Sequence, residues 1–188
     1  MSRIVRTVTP DDAERLLEIY GYYVEKTAIS FEYDVPSIAE FRNRIENILL
    51  THPYLVLEED GVIQGYAYAR AFYGREAYRY SCEMSIYLDR SSRGRGYGRL
   101  LYEALEAELR KMGFLNVYAC IADPVEEDEY LDRNSEHFHE AMGYKTIAKF
   151  QKCGSKFGRW YNLLDMEKII GEHCCPPKEF IPFCDLKN

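Results

Sequence analysis

Apolar positions in this chain switch between two periods. Residues 3–9 alternate and are rich in β-branched side chains, which predicts a strand. Thr9-Pro10-Asp11-Asp12 then reads as a helix start, with a cap, a proline in the first turn and acids behind it. Ala13, Leu16, Leu17, Ile19 and Tyr20 recur at helical spacing as far as about Lys26. Residues 27–36 form a loop with apolar anchors. Ser37 caps a second helix that carries Phe41, Ile45, Ile48 and Leu49 on one face. Tyr54–Glu58 and Val62–Ala71 read as strands joined by a Glu59-Asp60-Gly61 turn, and Gly65 marks a bulge or a close backbone approach.

Tyr80–Leu88 is the next strand. From Tyr97, residues Leu100, Leu101, Ala104, Leu105, Glu108 and Leu109 follow a helical period with the apolar members on one face. Gly113 ends that helix after Arg110 and Lys111, cations that suit its dipole. Asn116–Ala122 is an apolar strand, and Glu126–Glu129 reads as a solvated acidic loop. Ser135–Met142 is a short helix closed by Gly143. Tyr144–Lys152 and Trp160–Lys168 are strands around a Gly154/Gly158 connection. The tail from Ile170 shows no element. The order β-α-α-β-β-β-α-β-α-β-β predicts a mixed α/β domain over residues 1–170, with a tail at 171–188.

At 188 residues the chain can bury a substantial core. Its net charge of −7 argues against a nucleic-acid or membrane surface as partner. No apolar run approaches the ~18 residues of a spanning helix, and the N-terminus does not read as a signal peptide. A cytoplasmic location is expected. Cys82 and Cys120 lie in apolar runs and read as buried thiols. His173-Cys174-Cys175 with Cys184 matches no common zinc spacing, so no metal is expected. Seventeen tyrosines suggest that some line a cleft or an interface.

The acidic composition makes one basic stretch conspicuous. Between the strand ending Ile86-Tyr87-Leu88 and the long helix stand Arg93-Gly94-Arg95-Gly96-Tyr97-Gly98-Arg99, preceded by Arg90. Glycines allow a sharp turn and close approach of a ligand, and a helix N-terminus favours an anion. A phosphate or diphosphate suits this site. The spacing fits neither a dinucleotide fingerprint nor a P-loop, because position 99 is Arg99 and no Gly-Lys-Ser/Thr follows. Arg93-x-x-Gly96-x-Gly98 resembles the acyl-CoA diphosphate loop of the GCN5-related N-acetyltransferases.

Two side chains are candidates for acid–base work. Glu83 lies between Cys82 and Met84 just before the ligand strand, where an apolar setting favours a carboxyl able to accept a proton near neutrality. His139, in His137-Phe138-His139-Glu140, carries the side chain that titrates nearest to neutral pH. His137 lies on another helix face and reads as solvent-facing.

Further motifs narrow the resemblance to the phosphinothricin and methionine sulfoximine N-acetyltransferase branch, over about residues 3–168. They are residues 22–31 (Tyr22 to Phe31), Pro53-Tyr54-Leu55-Val56, Arg75-Glu76-Ala77-Tyr78, Phe138 to Tyr144, and Lys156-Phe157-Gly158-Arg159-Trp160. The resemblance implies a mostly antiparallel central sheet with flanking helices, the acyl-CoA N-acyltransferase fold. It implies acetyl-CoA as co-substrate, a small amino-acid-like amine as acceptor, direct transfer, and a homodimer. In that family the residues matching Glu83 and His139 do the acid–base work, and which of them is the base is left open. Ile86, Tyr87 and Leu88 would line the pantetheine arm, and residues 93–99 would hold the diphosphate. Arg75 matches an arginine near the substrate pocket, with Phe31, Tyr78 and Tyr80 as walls. Where the family has an Asn seven residues before the helix histidine, this chain has Asp132, and Asn134 is assigned the contact to the co-substrate. Competing readings are a protein N-terminal or lysine acetyltransferase and a non-catalytic acyl-CoA sensor.

Overall fold

The computed structural model describes residues 2–92 and 94–187. Seven strands form one sheet in the order β1-β2-β3-β4-β5-β7-β6, with pairs β1/β2, β2/β3, β3/β4 and β6/β7 antiparallel. The strands are β1 (Arg3–Thr7), β2 (Tyr54–Glu59), β3 (Val62–Ala71), β4 (Ser81–Leu88), β5 (Asn116–Pro124), β6 (Lys145–Lys156) and β7 (Arg159–Ile169). The helices are α1 (Ala13–Lys26), α2 (Ile38–Leu49), α3 (Tyr97–Met112) and α4 (Asn134–Ala141). This is the expected fold class and element order. The chain groups into two compact units: residues 1–19, 36–117 and 169–188, and residues 20–35 and 118–168.

In the first unit, α3 packs on β1–β4 and α2 on β2 and β3. Ser37 starts α2 with a capping box, its N–H donating to Glu40 Oε2 at 2.8 Å and its hydroxyl accepting from the Glu40 N–H at 3.2 Å. Leu101, Leu105, Leu109 and Met112 of α3, and Val56, Leu57 and Ala67 of β2 and β3, are all fully buried. The α3 face is rotated from the one read off its leucines. Leu100 is exposed, whereas Tyr102 and Glu106 are buried, Glu106 pairing with Arg110 at 2.8 Å. Apolar side chains alone therefore misplaced the stripe by about one position, because a paired carboxylate and a tyrosine take places in the core.

Tyrosines serve both inside and outside. Tyr54, Tyr66, Tyr97 and Tyr102 are fully buried, and Tyr73 and Tyr78 are exposed. Opposite Gly65 the β2/β3 register shifts between Leu57 and Glu58, which is the expected bulge. A side chain on Gly65 would collide with Leu88 and with the Tyr87 carbonyl of β4. Among its described residues the tail lacks regular structure apart from a 3₁₀ turn at Asp185–Lys187, yet it is packed. Phe183 is buried, Phe180 lies edge-on to Phe114 at 5.0 Å, and Ile181 N–H donates to the Met112 carbonyl at 2.9 Å.

In the second unit the β6/β7 hairpin is longer than its sequence pattern suggested. β6 runs through Gly154 to Lys156, and the turn is Phe157-Gly158, both at positive φ (51° and 73°). Ala28, Leu131 and Tyr161 form a core cluster with Phe31 and Tyr130 against it. The acidic segment 126–129 is a loop with Glu126, Glu127 and Glu129 exposed, as expected, but Asp128 is half-buried. Asp128 accepts hydrogen bonds from the N–H groups of Tyr130 (2.8 Å) and Leu131 (2.9 Å) and from the Tyr161 hydroxyl (3.0 Å). Arg159 pairs with both Asp128 and Glu129. The composition of that stretch hid a hub whose partners lie some 30 residues on. Cys120 is exposed rather than buried, because strand alternation turns Ala119 and Ile121 inward and Cys120 out.

Candidate active site

The bulged β3 and strand β4 carry candidate residues of the first unit. Arg70 and Glu83 are cross-strand partners, and Arg70 Nη2 donates to Glu83 Oε1 at 2.6 Å. Cys82 and Met84 point into the core, and burial pushes the Cys82 thiol up, with Glu83 adding to the effect. Glu83 is thus placed on the opposite face, only 17% exposed at its side chain. Ile86, Tyr87 and Leu88 follow, each half-buried.

After β4 the chain is fastened before it turns. Asp89 N–H donates to the Gln64 carbonyl at 2.8 Å, and the buried Ser92 hydroxyl donates to Gln64 Oε1 at 2.5 Å. Arg15 donates to Asp89 Oδ2 at 2.6 Å and to the Ile63 carbonyl. Burial raises the Asp89 pKa, but hydrogen bonds from Ser91 and Arg15 outweigh it and leave the carboxyl below its ordinary value.

Gly94 and Gly96 then sit at φ 75° and 79°, and among the described residues no atom beyond their chain neighbours lies within 4 Å of where a side chain would project from either. Glycine is needed here for the left-handed backbone, with open space beside it. Gly96 caps α3, and Tyr97 and Gly98, the first two residues of the helix, are buried. A helix's first turn lacks intrahelical acceptors for its N–H groups, so an open, left-handed turn at the head of α3 suits an anion. Arg93 lies outside the described residues. Arg95 and Arg99 are partly neutralised, one by an acid distant in sequence and one by an acid a turn away. Arg95 pairs with Glu59 at 2.7 Å and Arg99 with Glu103 at 3.5 Å.

The loop before β4 holds Arg75 at the head of a 3₁₀ turn, its carbonyl accepting from the Tyr78 N–H at 3.0 Å. Tyr78 packs with Tyr73 (5.2 Å) and Phe72 (6.3 Å) on the surface. Tyr80 is turned to the tail: its hydroxyl donates to the Lys178 carbonyl at 2.9 Å and its ring meets Phe180.

The second unit holds Phe31, Asn134 and His139. His139 is 3% exposed, edge-on to Phe138 and Tyr144. Its Nδ1 lies 2.7 Å from the Ser135 carbonyl, an oxygen that can only accept. Nδ1 therefore carries the proton and Nε2 the lone pair. Burial pushes its pKa down to about 4, only partly offset by the Ser135 hydrogen bond, so the imidazole is neutral at pH 7. His137 is exposed, as expected. Asn134 opens α4, exposed, and its amide donates to Asp132 Oδ2 at 2.5 Å.

The start of α4 is held by Asp123, which is 2% exposed. It receives Arg133 (3.1 Å), Lys149 (2.6 Å) and Asn162 (2.9 Å). Burial raises the Asp123 pKa, but Lys149 and Asn162 outweigh it and hold the group ionised.

An acetyltransferase (GNAT) domain profile matches residues 5–164. The chain belongs to the GNAT acetyltransferase family. This acetyltransferase is 33% identical to a phosphinothricin N-acetyltransferase of Alcaligenes faecalis, over 88% of its own length and 82% of the relative's. It is 31% identical to an L-methionine sulfoximine/L-methionine sulfone acetyltransferase of Salmonella typhimurium, over 92% and 97%. A crystal structure of a Sinorhizobium meliloti GNAT phosphinothricin acetyltransferase in complex with AcCoA superposes with TM-score 0.86 at 32% identity, covering 96% of each chain. The protein is an N-acetyltransferase.

Reading this acetyltransferase from sequence missed Glu59, Asp123 and Lys156. Lys156 is 3% exposed and its ammonium donates to the carbonyls of Val24 (2.7 Å), Thr27 (2.9 Å) and Ser30 (2.6 Å). The family motif Lys156 to Trp160 was a signal without a role attached. Glu59 looked like one residue of a hairpin turn.

Proposed function

We propose that this enzyme transfers acetyl from acetyl-CoA to the primary amine of a small amino-acid-like substrate of the phosphinothricin or methionine sulfoximine type. The reading is carried by the open left-handed turn at Gly94 and Gly96, which heads α3 and follows the strand bearing Glu83. Residues 94–99, with Arg93, hold the diphosphate. Ile86, Tyr87 and Leu88 lie along the pantetheine arm.

In the transfer the amine nitrogen attacks the thioester carbonyl, the carbon–sulfur bond breaks, and the amine's proton must leave while the thiolate gains one. Glu83 and His139 are the groups proposed for those two proton movements. His139, neutral at pH 7 with its proton on Nδ1, suits accepting a proton during the reaction better than holding one beforehand. Arg75 offers a guanidinium for the substrate's carboxylate or phosphinate, and Phe31 and Tyr78 offer apolar walls. Tyr80 and Asn134 complete the proposed set.

The enzyme is proposed to work as a homodimer in the cytoplasm. Edge strand β6 exposes Ile147 and Phe150, consistent with a covered face, and the six cysteines form no disulfide.

The test is thiol release from acetyl-CoA across amino acids, their analogues and N-terminal peptides, for wild type, Glu83→Gln and His139→Asn. Both variants should slow turnover of the small amines by about 100-fold or more, while CoA affinity stays within about twofold. Equal turnover in all three would remove both residues from the mechanism. Turnover of peptides alone would favour a protein acetyltransferase, and CoA binding without any release would favour a sensor.

A further inference from the structure

Glu59 is the last residue of β2 and is 7% exposed. Its Oε1 accepts from Arg3 Nε at 2.8 Å. Its Oε2 accepts from the Tyr97 hydroxyl at 2.6 Å and from Arg95 Nη2 at 2.7 Å. The guanidinium carbons of Arg3 and Arg95 lie 5.2 and 4.9 Å from the centre of the Tyr97 ring. Arg95 and Tyr97 are the two residues that flank Gly96, and both end on this one carboxylate.

At Gly94 and Gly96, among the described residues, nothing beyond the chain neighbours packs where a side chain would stand. A left-handed turn with that freedom needs fastening if its N–H groups are to converge on an anion. We propose that Glu59 is the positioning residue of the phosphate turn. It fixes Arg95 and Tyr97 on either side of Gly96 and so presets the head of α3 for the donor's diphosphate. The inference rests on the acetyl-CoA reading above, and it assigns Arg95 to holding the turn through Glu59.

The prediction separates donors that carry the diphosphate from donors that lack it. Wild type, Glu59→Gln and Tyr97→Phe are assayed with acetyl-CoA and with S-acetylpantetheine. KM for acetyl-CoA should rise about tenfold in Glu59→Gln and about threefold in Tyr97→Phe, the scale of losing charged and single hydrogen bonds. kcat should stay within about twofold, and KM for S-acetylpantetheine should be unchanged within the same margin in both variants.

Three results overturn the proposal. One is a constant KM for acetyl-CoA. Another is a fall in that KM, which would mean that the carboxylate withholds Arg95 from the phosphates. The third is an equal rise with both donors, which is a general loss of fold. Tyr97→Phe keeps the buried ring and decides the matter should Glu59→Gln not fold. Calorimetric binding of CoA and of pantetheine to the same proteins reads the turn without turnover. A wild type that binds CoA in a Glu59-dependent way but acetylates no amine refutes the transfer reading and leaves this one standing.

Discussion

Replacing His139 by Asn should flatten the acid side of the stability profile. The ring is 3% exposed and its pKa is pushed down to about 4, whereas an unfolded imidazole titrates at 6.5. Above pH 6.5 both states are neutral there, and His139 adds no pH dependence. As pH falls below 6.5 the unfolded chain takes up a proton that the native chain refuses, so stability drops. The loss reaches about 2 kcal/mol at pH 5 and about 3 kcal/mol below pH 4.

Asn places its amide nitrogen close to the Nδ1 position, so the hydrogen bond to the Ser135 carbonyl can persist while the titration disappears. Urea denaturation of both proteins at several pH values from 7.5 to 4.5 gives the comparison. The lost packing shifts the variant by an offset common to every pH. Asp12, Asp89, Asp123 and Asp128 have lowered pKa values and lose their stabilising effect as pH falls through those values, but they titrate in both proteins and cancel. Parallel profiles for wild type and His139→Asn would refute the reasoning, as would a His139 resonance that titrates near pH 6.5.

Lys156→Met should cost about 3 kcal/mol in thermal or urea denaturation, because the carbonyls of Val24, Thr27 and Ser30 lose one charged donor in a buried place; a cost under about 1 kcal/mol would show that water replaces the ammonium. Gly154→Ala pushes a methyl into the ring of Phe31 and should destabilise by about 2 kcal/mol, with Phe31→Leu recovering part of the loss in a double-mutant cycle. Strict additivity of the two changes would count against that contact. Thiol titration of the native protein should label Cys120, Cys153, Cys175 and Cys184 while sparing Cys82, which should react only on unfolding; native labelling of Cys82 would contradict its burial.

Much of this molecule was legible before any coordinates. Element order followed from period and punctuation, since a strand needs alternation, a helix needs its stripe, and glycine or proline marks the ends. The turn ahead of α3 was legible for the same reason: left-handed backbone at Gly94 and Gly96 has to be written as glycine. Glu83 and His139 stand out locally as candidates, one an acid in an apolar strand and the other a histidine in a recognisable motif.

What stayed hidden were partnerships across distance. Nothing near Glu59 announces that Arg3, Arg95 and Tyr97 converge on it, nor does the acidic run around Asp128 reveal Arg159 and Tyr161. The outward turn of Cys120 and the burial of Glu106 likewise depended on which face met the core. Local order is dictated by the backbone preferences and periodicity of neighbouring residues, so the sequence by itself determined the elements and the turn. A charge, a proton position or an exposed face depends on groups tens of residues away. Only the tertiary structure decided that His139 is neutral with its proton on Nδ1, that Lys156 ties down three carbonyls, and that one carboxylate joins β1, β2 and the head of α3.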